Sequence, residues 1–400
     1  MHTLHHRGPD QWNDYFDKDI YIGHQRLSIL DLSEHGKQPM ISPDEKVIIT
    51  VNGEVYNFLE LKKELEDKYT FKSTSDSEVV LYGYIEWGID KLLEKIDGMY
   101  AISIYDKEKE ELFLARDRAG IKPLYYGNIN GQISWASELK AIQKLYENQN
   151  ILEYDYTAFY DFLTYLYIPT PKSMYKNVCK LEPAHYLKID VRSNNFEKVQ
   201  YWELEINQCN DDIETAKKKI YDLVKKSVDE QMVADVPVGF FLSGGMDSST
   251  VVALASQNHS DINTFSIGFT DKSHDETHFA DMIVSMYKTK HNKKILDEDT
   301  TKNAAIWTLK TVLIDALKLL HPYMPFITEE IFCNIQDEEE SIMISSWPVY
   351  DETNNFAAEE KAIETIKEAV RNIRNLRADM NVAPSRKALV YVVTASEDVK

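Results

Sequence analysis

The chain has 400 residues, 43% of them hydrophobic, which is enough for two or three cored domains and too much for a disordered chain. Lys and Arg number 45 against 66 Asp and Glu, and the formal charge of −21 argues against a protein that coats nucleic acid, because phosphate binding needs clustered cations. Cys179, Cys209 and Cys333 lie too far apart for a disulfide scaffold or a CxxC zinc cluster, and no apolar run is long enough to span a bilayer, so the expected setting is cytoplasmic, with no membrane partner.

In chain order, residues 20–30 and 46–51 read as strands, and Asn52-Gly53 and Asn130-Gly131 as hairpin turns. Helical spacing covers residues 59–69 and 77–87, and further strands are expected at 100–105, 111–115, 124–126 and 132–136. Many antiparallel strands with few helices predict an α+β antiparallel sandwich over residues 1–150. An aromatic helix at 156–165 and a Pro169-Thr170-Pro171 link follow. Next come an amphipathic helix at 213–232, a buried strand at 236–242, a helix at 248–255 and a strand at 263–269. That order begins a parallel α/β domain, read over residues 151–298, whose pattern stops after two strands. From Lys302 helical spacing dominates, and an α-helical bundle is expected over residues 302–400, joined without a Pro/Gly/Ser linker.

The sharpest chemical signal is Ser243-Gly244-Gly245-Met246-Asp247-Ser248-Ser249, placed between a buried strand and a helix. Two glycines admit a phosphate close to the backbone, and Ser243, Ser248 and the N–H groups of the opening helix can hold its oxygens. No lysine of the Walker type is present. A tight strand-to-helix turn that merely needs glycine would read alike. The motif resembles the SGGxDS loop of the PP-loop family, which implies ATP cleaved between its α- and β-phosphates. The resemblance places Leu242, Ser243, Gly244, Gly245, Asp247, Ser248, Ser249 and Ile267 around ATP.

Residues 6–10 (HRGPD), 23–29 (GHQRLSI), 52–57 (NGEVYN), 75–78 (SDSE), 115–126 (ARDRAGIKPLYY) and 136–140 (ASELK) together resemble the class II glutamine amidotransferase domain. Followed by the SGGxDS loop, the order is similar to glutamine-hydrolysing asparagine synthetases. The resemblance implies glutamine, aspartate and ATP as substrates, with Mg²⁺ as cofactor. It implies that Arg26 pairs with the glutamine α-carboxylate, that Glu54 and Asp76 take its ammonium group, and that Asn52 and Gly53 form an oxyanion hole. Singly, each has a structural account: a turn, a strand-edge cation, a helix cap. Members of the family use a first-residue cysteine as nucleophile, whereas this chain opens Met1-His2-Thr3 and its three cysteines lie outside residues 1–150. The expectation is therefore a glutamine pocket with no catalytic nucleophile and no glutaminase activity. The family's second acidic loop and aspartate-binding segment have no counterpart in residues 271–400, so weak ATP binding, no aspartate adenylation and no metal-ligating residues are expected.

Residues 319–330 (LLHPYMPFITEE), 341–348 (SIMISSWP) and 371–384 (RNIRNLRADMNVAP) resemble the anticodon-binding domain of valyl-tRNA synthetases, which implies tRNA as a partner. Lys367, Arg371, Arg374 and Arg377 recur at helical spacing as one basic stripe. It reads equally as an RNA contact or as a solvated face paired with Glu364 and Glu368. Two alternatives to an asparagine synthetase thus stand open: a tRNA-binding helical module, and a fusion of fragments of the two enzymes.

Overall fold

The computed structural model describes residues 2–147, 149, 151–207, 210–269 and 275–296, with short pieces at 313–314, 317–318, 329, 331–333 and 341–345. The chain divides into two units, the first built chiefly from residues 1–239 and the second chiefly from residues 240–372.

The first unit opens with a hairpin of β1 (Gln11–Phe16) and β2 (Tyr21–Arg26). Its centre is a six-stranded antiparallel sheet, made of β3 (Met40–Ile41), β4 (Val47–Val55), β5 (Gly98–Asp106), β6 (Glu111–Arg116), β10 (His185–Asp190) and β11 (Phe196–Gln200). The spatial order is β11-β10-β6-β5-β4-β3. Helices α1 (Phe58–Leu65) and α2 (Ser77–Lys95) cover one face, where Leu61, Leu65, Val80 and Leu92 meet Ile49, Val51, Ile102 and Ile104. On the other face Ile48, Leu112, Leu114 and Leu187 pack with Ile22, Leu124, Tyr126 and Leu181. Burial on both faces explains the unbroken apolar run Val47-Ile48-Ile49, since consecutive residues enter opposite cores. A third sheet joins β7 (Tyr125–Ile129), β8 (Gln132–Ala136) and β9 (Cys179–Lys180). Beyond residue 150 the chain therefore still supplies strands to the first unit: β10 lies against β6 and β9 against β7.

The two Asn-Gly pairs behave differently. Asn130 and Gly131 take φ of 52° and 80° and close the β7–β8 hairpin, with Ile129 opposite Gln132. Asn52-Gly53 is not a turn: it runs inside β4, opposite Ala101 and Tyr100. Gly53 is needed because β5 passes so close that a Cβ would overlap the Met99 carbonyl oxygen and lie 2.7 Å from Tyr100 Cα.

After α3 (Leu139–Leu145) and α4 (Tyr156–Tyr165), α5 (Ile213–Gln231) matches the amphipathic segment read from sequence, with the Asp212 carboxylate accepting the Thr215 N–H at its start. The second unit carries a three-stranded sheet, β12 (Gly239–Phe241), β13 (Asn263–Phe269) and β14 (Lys290–Leu296), in that order, with β13 and β14 parallel. Helices α6 (Met246–Asn258) and α7 (Thr277–Tyr287) connect these strands. The strand β14 escapes a reading by alternation because Lys290-His291-Asn292-Lys293-Lys294 is polar throughout; it sits at the sheet edge, where such residues are tolerated. The expected bundle over residues 302–400 lies outside the described residues, apart from pieces in which Leu317, Phe332 and Ile342 are buried in one cluster. Among the described residues no helix is long and apolar enough to cross a membrane.

Candidate functional site

One edge of β4 brings together several of the residues that the sequence motifs single out. Backbone N–H groups alternate sides along a strand, so those of Val51, Gly53 and Val55 share an edge. The Val51 N–H donates to Gln38 Oε1 at 2.6 Å and the Val55 N–H to Asp76 Oδ2 at 2.7 Å. Side chains, not a strand, satisfy this edge, and the Gly53 N–H between them has no hydrogen-bond partner among the described residues. His24 donates from Nε2 to Val51 O at 3.2 Å, which leaves Nδ1 buried without a partner among the described residues. Burial pushes its imidazole down to about 4, so the ring is neutral at neutral pH.

The Asn52 side chain stands beside this edge and donates from Nδ2 to Ser137 Oγ at 3.2 Å. That bond orients the amide with one N–H on Ser137 and the second left for another acceptor. Ser137 is held in turn by its neighbours. Glu138 accepts from His6 Nε2 at 3.0 Å and Arg7 Nη1 at 3.1 Å and pairs with Lys140 at 2.9 Å. Burial opposes ionisation of Glu138, but the bonds from His6 and Lys140 and the charge of Arg7 hold its carboxyl below the usual range. The 6–10 segment lies flat on β2, where a Cβ on Gly8 would overlap the Gln25–Arg26 peptide, and Asp10 accepts the Ser28 N–H at 2.8 Å.

Asp76, buried at the start of α2, also accepts from Ser75 Oγ at 3.3 Å and Ser77 Oγ at 3.5 Å. Burial raises its pKa against these bonds. Glu54 is half-buried with no hydrogen-bond partner among the described residues; burial and the Asp76 charge raise its pKa, and Lys122 lowers it. Arg26 is buried and spends its donors on the loop that follows: Nη2 reaches Leu30 O and Asp31 O at 2.7 Å, and Nη1 reaches Gln11 Oε1 at 2.8 Å and Ser33 O at 3.4 Å. Gly36 leaves room for this guanidinium, whose Cζ would lie 2.7 Å from a Cβ. Asp76 lies near enough for its charge to favour the cationic form of Arg26. The structure thus gathers Arg26, Asn52, Gly53, Glu54 and Asp76 from separate sequence motifs. His24, Gln38, Lys122 and Ser137 belong to the same cluster; three of them lie inside those motifs, yet nothing in their spacing marked them.

In the second unit the SGGxDS loop is stitched by its own hydroxyls. Ser243 and Ser248 Oγ lie 3.2 Å apart, the Gly245 N–H donates to Ser243 Oγ at 3.3 Å, and Ser248 Oγ donates to Gly245 O at 3.1 Å. Gly244 takes φ of 78° and lies against α7, where a Cβ would overlap Phe279 and come 2.6 Å from Ala280 N. Its glycine is thus required by the approach of α7 as well as by the turn. Leu242 is buried and donates its N–H to Phe265 O at 2.8 Å; Ile267, Asp247 and Ser243 are exposed. Among the described residues no group of three or more His, Cys, Asp or Glu side chains is placed to hold a metal ion. Lys367, Arg371, Arg374 and Arg377 lie outside the described residues.

The profile of the glutamine amidotransferase domain matches residues 1–202, that of asparagine synthase residues 219–323 and that of the anticodon-binding domain of tRNA ligases residues 273–392. Asparagine synthetase [glutamine-hydrolyzing] 1 of Bacillus subtilis is 35% identical over 318 residues, which are 78% of this chain and 49% of that protein. A putative asparagine synthetase [glutamine-hydrolyzing] 2 of Methanocaldococcus jannaschii is 39% identical over 317 residues, 72% of this chain and 59% of that protein. The chain belongs to the glutamine amidotransferase domain family, and beyond that domain it is similar to glutamine-hydrolysing asparagine synthetases. The β4 edge lies within the matched amidotransferase domain. The chain spans about half the length of the curated relatives it matches. Among solved structures, a B. subtilis glutamine phosphoribosylpyrophosphate amidotransferase aligns over 73% of this chain and 61% of its own at 16% identity, with a TM-score of 0.36.

Proposed function

We propose that the first unit binds L-glutamine at the β4 edge and that the chain carries some of the machinery that amidates aspartate. The observation that carries this reading is the Gly53 N–H, open among the described residues, framed by two N–H groups that side chains occupy and standing beside an Asn52 amide oriented by Ser137. Two such donors converge on an amide carbonyl and stabilise the oxyanion that forms when it is attacked. Glu54 and Asp76 supply negative charge for an α-ammonium group. Arg26 supplies the positive end, reaching a carboxylate through whatever edge its loop bonds leave open.

The second unit is proposed to hold ATP, with Ser243, Gly245, Ser248 and Ser249 around the phosphates and Leu242 and Ile267 beside the base. Hydroxyls and N–H groups that meet at the start of α6 fit a phosphate, because a helix N-terminus favours anions. ATP would supply the adenylyl group that activates the aspartate carboxylate for attack by ammonia.

Hydrolysis of glutamine needs a nucleophile, and the first thiol in the chain is Cys179. It lies on β9, half-buried against the core that contains Ile48, Leu114 and Leu187, and burial pushes its pKa up. The β4 edge is expected to bind L-glutamine, and Cys179 is not expected to act as the nucleophile on it. Calorimetric titration with L-glutamine, with D-glutamine and L-asparagine as controls, checks the binding, and a coupled ammonia assay checks the chemistry. Glu54→Gln should weaken L-glutamine by about tenfold, the worth of one charged hydrogen bond. Equal affinity for the three ligands, or none for L-glutamine, would overturn the pocket.

A further inference from the structure

We propose that Asp31 is a positioning residue of this pocket: its carboxylate and carbonyl tie the segment that carries Asp76 to the Arg26 guanidinium, and so fix the spacing of the two groups read as partners of the ligand's α-ammonium and α-carboxylate. The inference rests on the glutamine reading of the β4 edge and adds to it a residue outside the motifs that suggested that reading.

All four polar atoms of Asp31 are hydrogen-bonded. Its N–H donates to Asp235 Oδ2 at 2.7 Å, on the segment that follows α5. Its carbonyl accepts from Arg26 Nη2 at 2.7 Å, at the end of β2. Oδ1 accepts the Ser33 N–H at 3.0 Å and also the Ser33 hydroxyl, and Oδ2 accepts the Thr74 N–H at 2.8 Å. The residue is buried and takes φ of 55°, a left-handed backbone that costs energy and persists where surrounding bonds over-determine it. The Asp235 N–H returns to Ile29 O at 2.9 Å, so the 29–31 stretch is gripped from Arg26 and from residue 235 at once.

Thr74 is the point at which this grip reaches the pocket. The N–H groups of Lys72 and Ser73 donate to Glu78 at 2.9 and 2.7 Å, a carboxylate of the same stretch of chain. Asp31 holds the next N–H from outside that stretch. Asp76 follows Thr74 by two residues, at most about 7 Å of chain, and accepts the Val55 N–H at 2.7 Å on the β4 edge. Hydrogen bonds and two residues of backbone therefore link Arg26 through Asp31 and Thr74 to Asp76 and β4. Burial opposes ionisation of Asp31, but the bonds from Ser33 and Thr74 hold its carboxyl below the usual range, so both oxygens stay acceptors. A ligand that carries ammonium and carboxylate on one carbon needs their partners at a set spacing. With the side-chain amide at Gly53 as a third point of contact, that spacing decides which enantiomer fits.

Asp31→Asn tolerates the same backbone but offers one acceptor oxygen where two N–H groups need one each. L-glutamine affinity of the full chain should fall about tenfold, the worth of one hydrogen bond to a charged group, and the preference over D-glutamine should narrow. Ser33→Ala strips a hydroxyl from the same carboxylate, leaves the Thr74 bond, and should keep both. A second readout needs no ligand. Amide hydrogen exchange at Thr74 and Val55 should speed up together in Asp31→Asn, while that of Tyr56, whose N–H donates to Asp97 O at 2.7 Å, should not. Where the amide variant folds poorly, Asp31→Gly takes the positive φ without strain and should show the same losses. Unchanged affinity and enantiomer preference, an equal loss in Ser33→Ala, or faster exchange at Thr74 alone would each overturn the proposal. Wild-type protein that fails to bind L-glutamine would overturn the pocket reading, while exchange at Val55 would still decide whether Asp31 holds Asp76 in place.

Discussion

His24 shows how one side chain ties the pocket to the pH at which the fold survives. In the folded chain Nε2–H is spent on Val51 O and Nδ1 is buried with no acceptor among the described residues, so a second proton has nowhere to point. Its folded pKa, about 4, lies below that of an unfolded histidine. The unfolded chain therefore binds the extra proton first. Stability from this site is complete above about pH 6.5 and is lost as pH falls toward 4, by on the order of 3 kcal/mol. Urea midpoints measured across that window should fall in the wild type and fall less in His24→Gln, which cannot take up a proton. A parallel pH dependence in the two proteins would refute the assignment. The same residue scale separates Arg26 from its implied role: three hydrogen bonds clamp residues 30–33 and a fourth holds Gln11.

At the scale of elements, two glycines make a matched pair. Gly53 sits within β4 where β5 leaves no space for a Cβ. Gly88 lies inside α2 with φ of 76° and ψ of 176°, a break after which the helix resumes to Lys95, and a Cβ there would meet nothing within 4 Å. Gly53→Ala must push apart a pair of hydrogen-bonded strands, and it should cost roughly 3 kcal/mol or more and abolish glutamine binding. Gly88→Ala carries only the backbone cost of a nearly glycine-only conformation, about 1–3 kcal/mol, and should leave binding unchanged. Thermal melts with calorimetric titration distinguish them, and equal losses would contradict the geometry. Gly88 also explains why the sequence pattern suggests a helix that stops at Trp87. Glycine punctuates the local signal, while Leu92 and Leu93 beyond it are buried in the same core as Val79 and Val80, and that packing carries the helix onward.

For the whole molecule, large apolar side chains stand in solvent on both units. In the first, Tyr156, Tyr160, Leu163 and Leu166 line α4 and its end. In the second, Met246, Ile267, Met282 and Met286 are more than half exposed. Water-facing apolar surface of that extent drives association unless something covers it. The purified chain is expected to self-associate with rising concentration and to bind a hydrophobic dye, despite its formal charge of −21. Light scattering on a sizing column checks this, and a monodisperse monomer across a hundredfold range of about micromolar concentrations would refute it.

The sequence by itself determined the family, the amphipathic α5, the strand–loop–helix around Ser243 and the Asn130-Gly131 hairpin. Each of these rests on local patterning or on residue identities that need no partner to be read. It also named Asn52, Gly53, Glu54 and Asp76, which lie on or beside one edge of β4, and Arg26, whose side chain is held by Gln11 and residues 30–33. Tertiary structure alone decided that Asn52-Gly53 is strand and not turn, because the reason for that glycine is the Met99 carbonyl on the neighbouring strand. It decided that Ser137 orients Asn52, since side chains distant in sequence acquire a common environment only when sheets close over them. It brought β10 to β6, a pairing set by two buried faces that no local period encodes. Patterning records which side of an element is buried; which element buries it, and at what distance, is settled by packing.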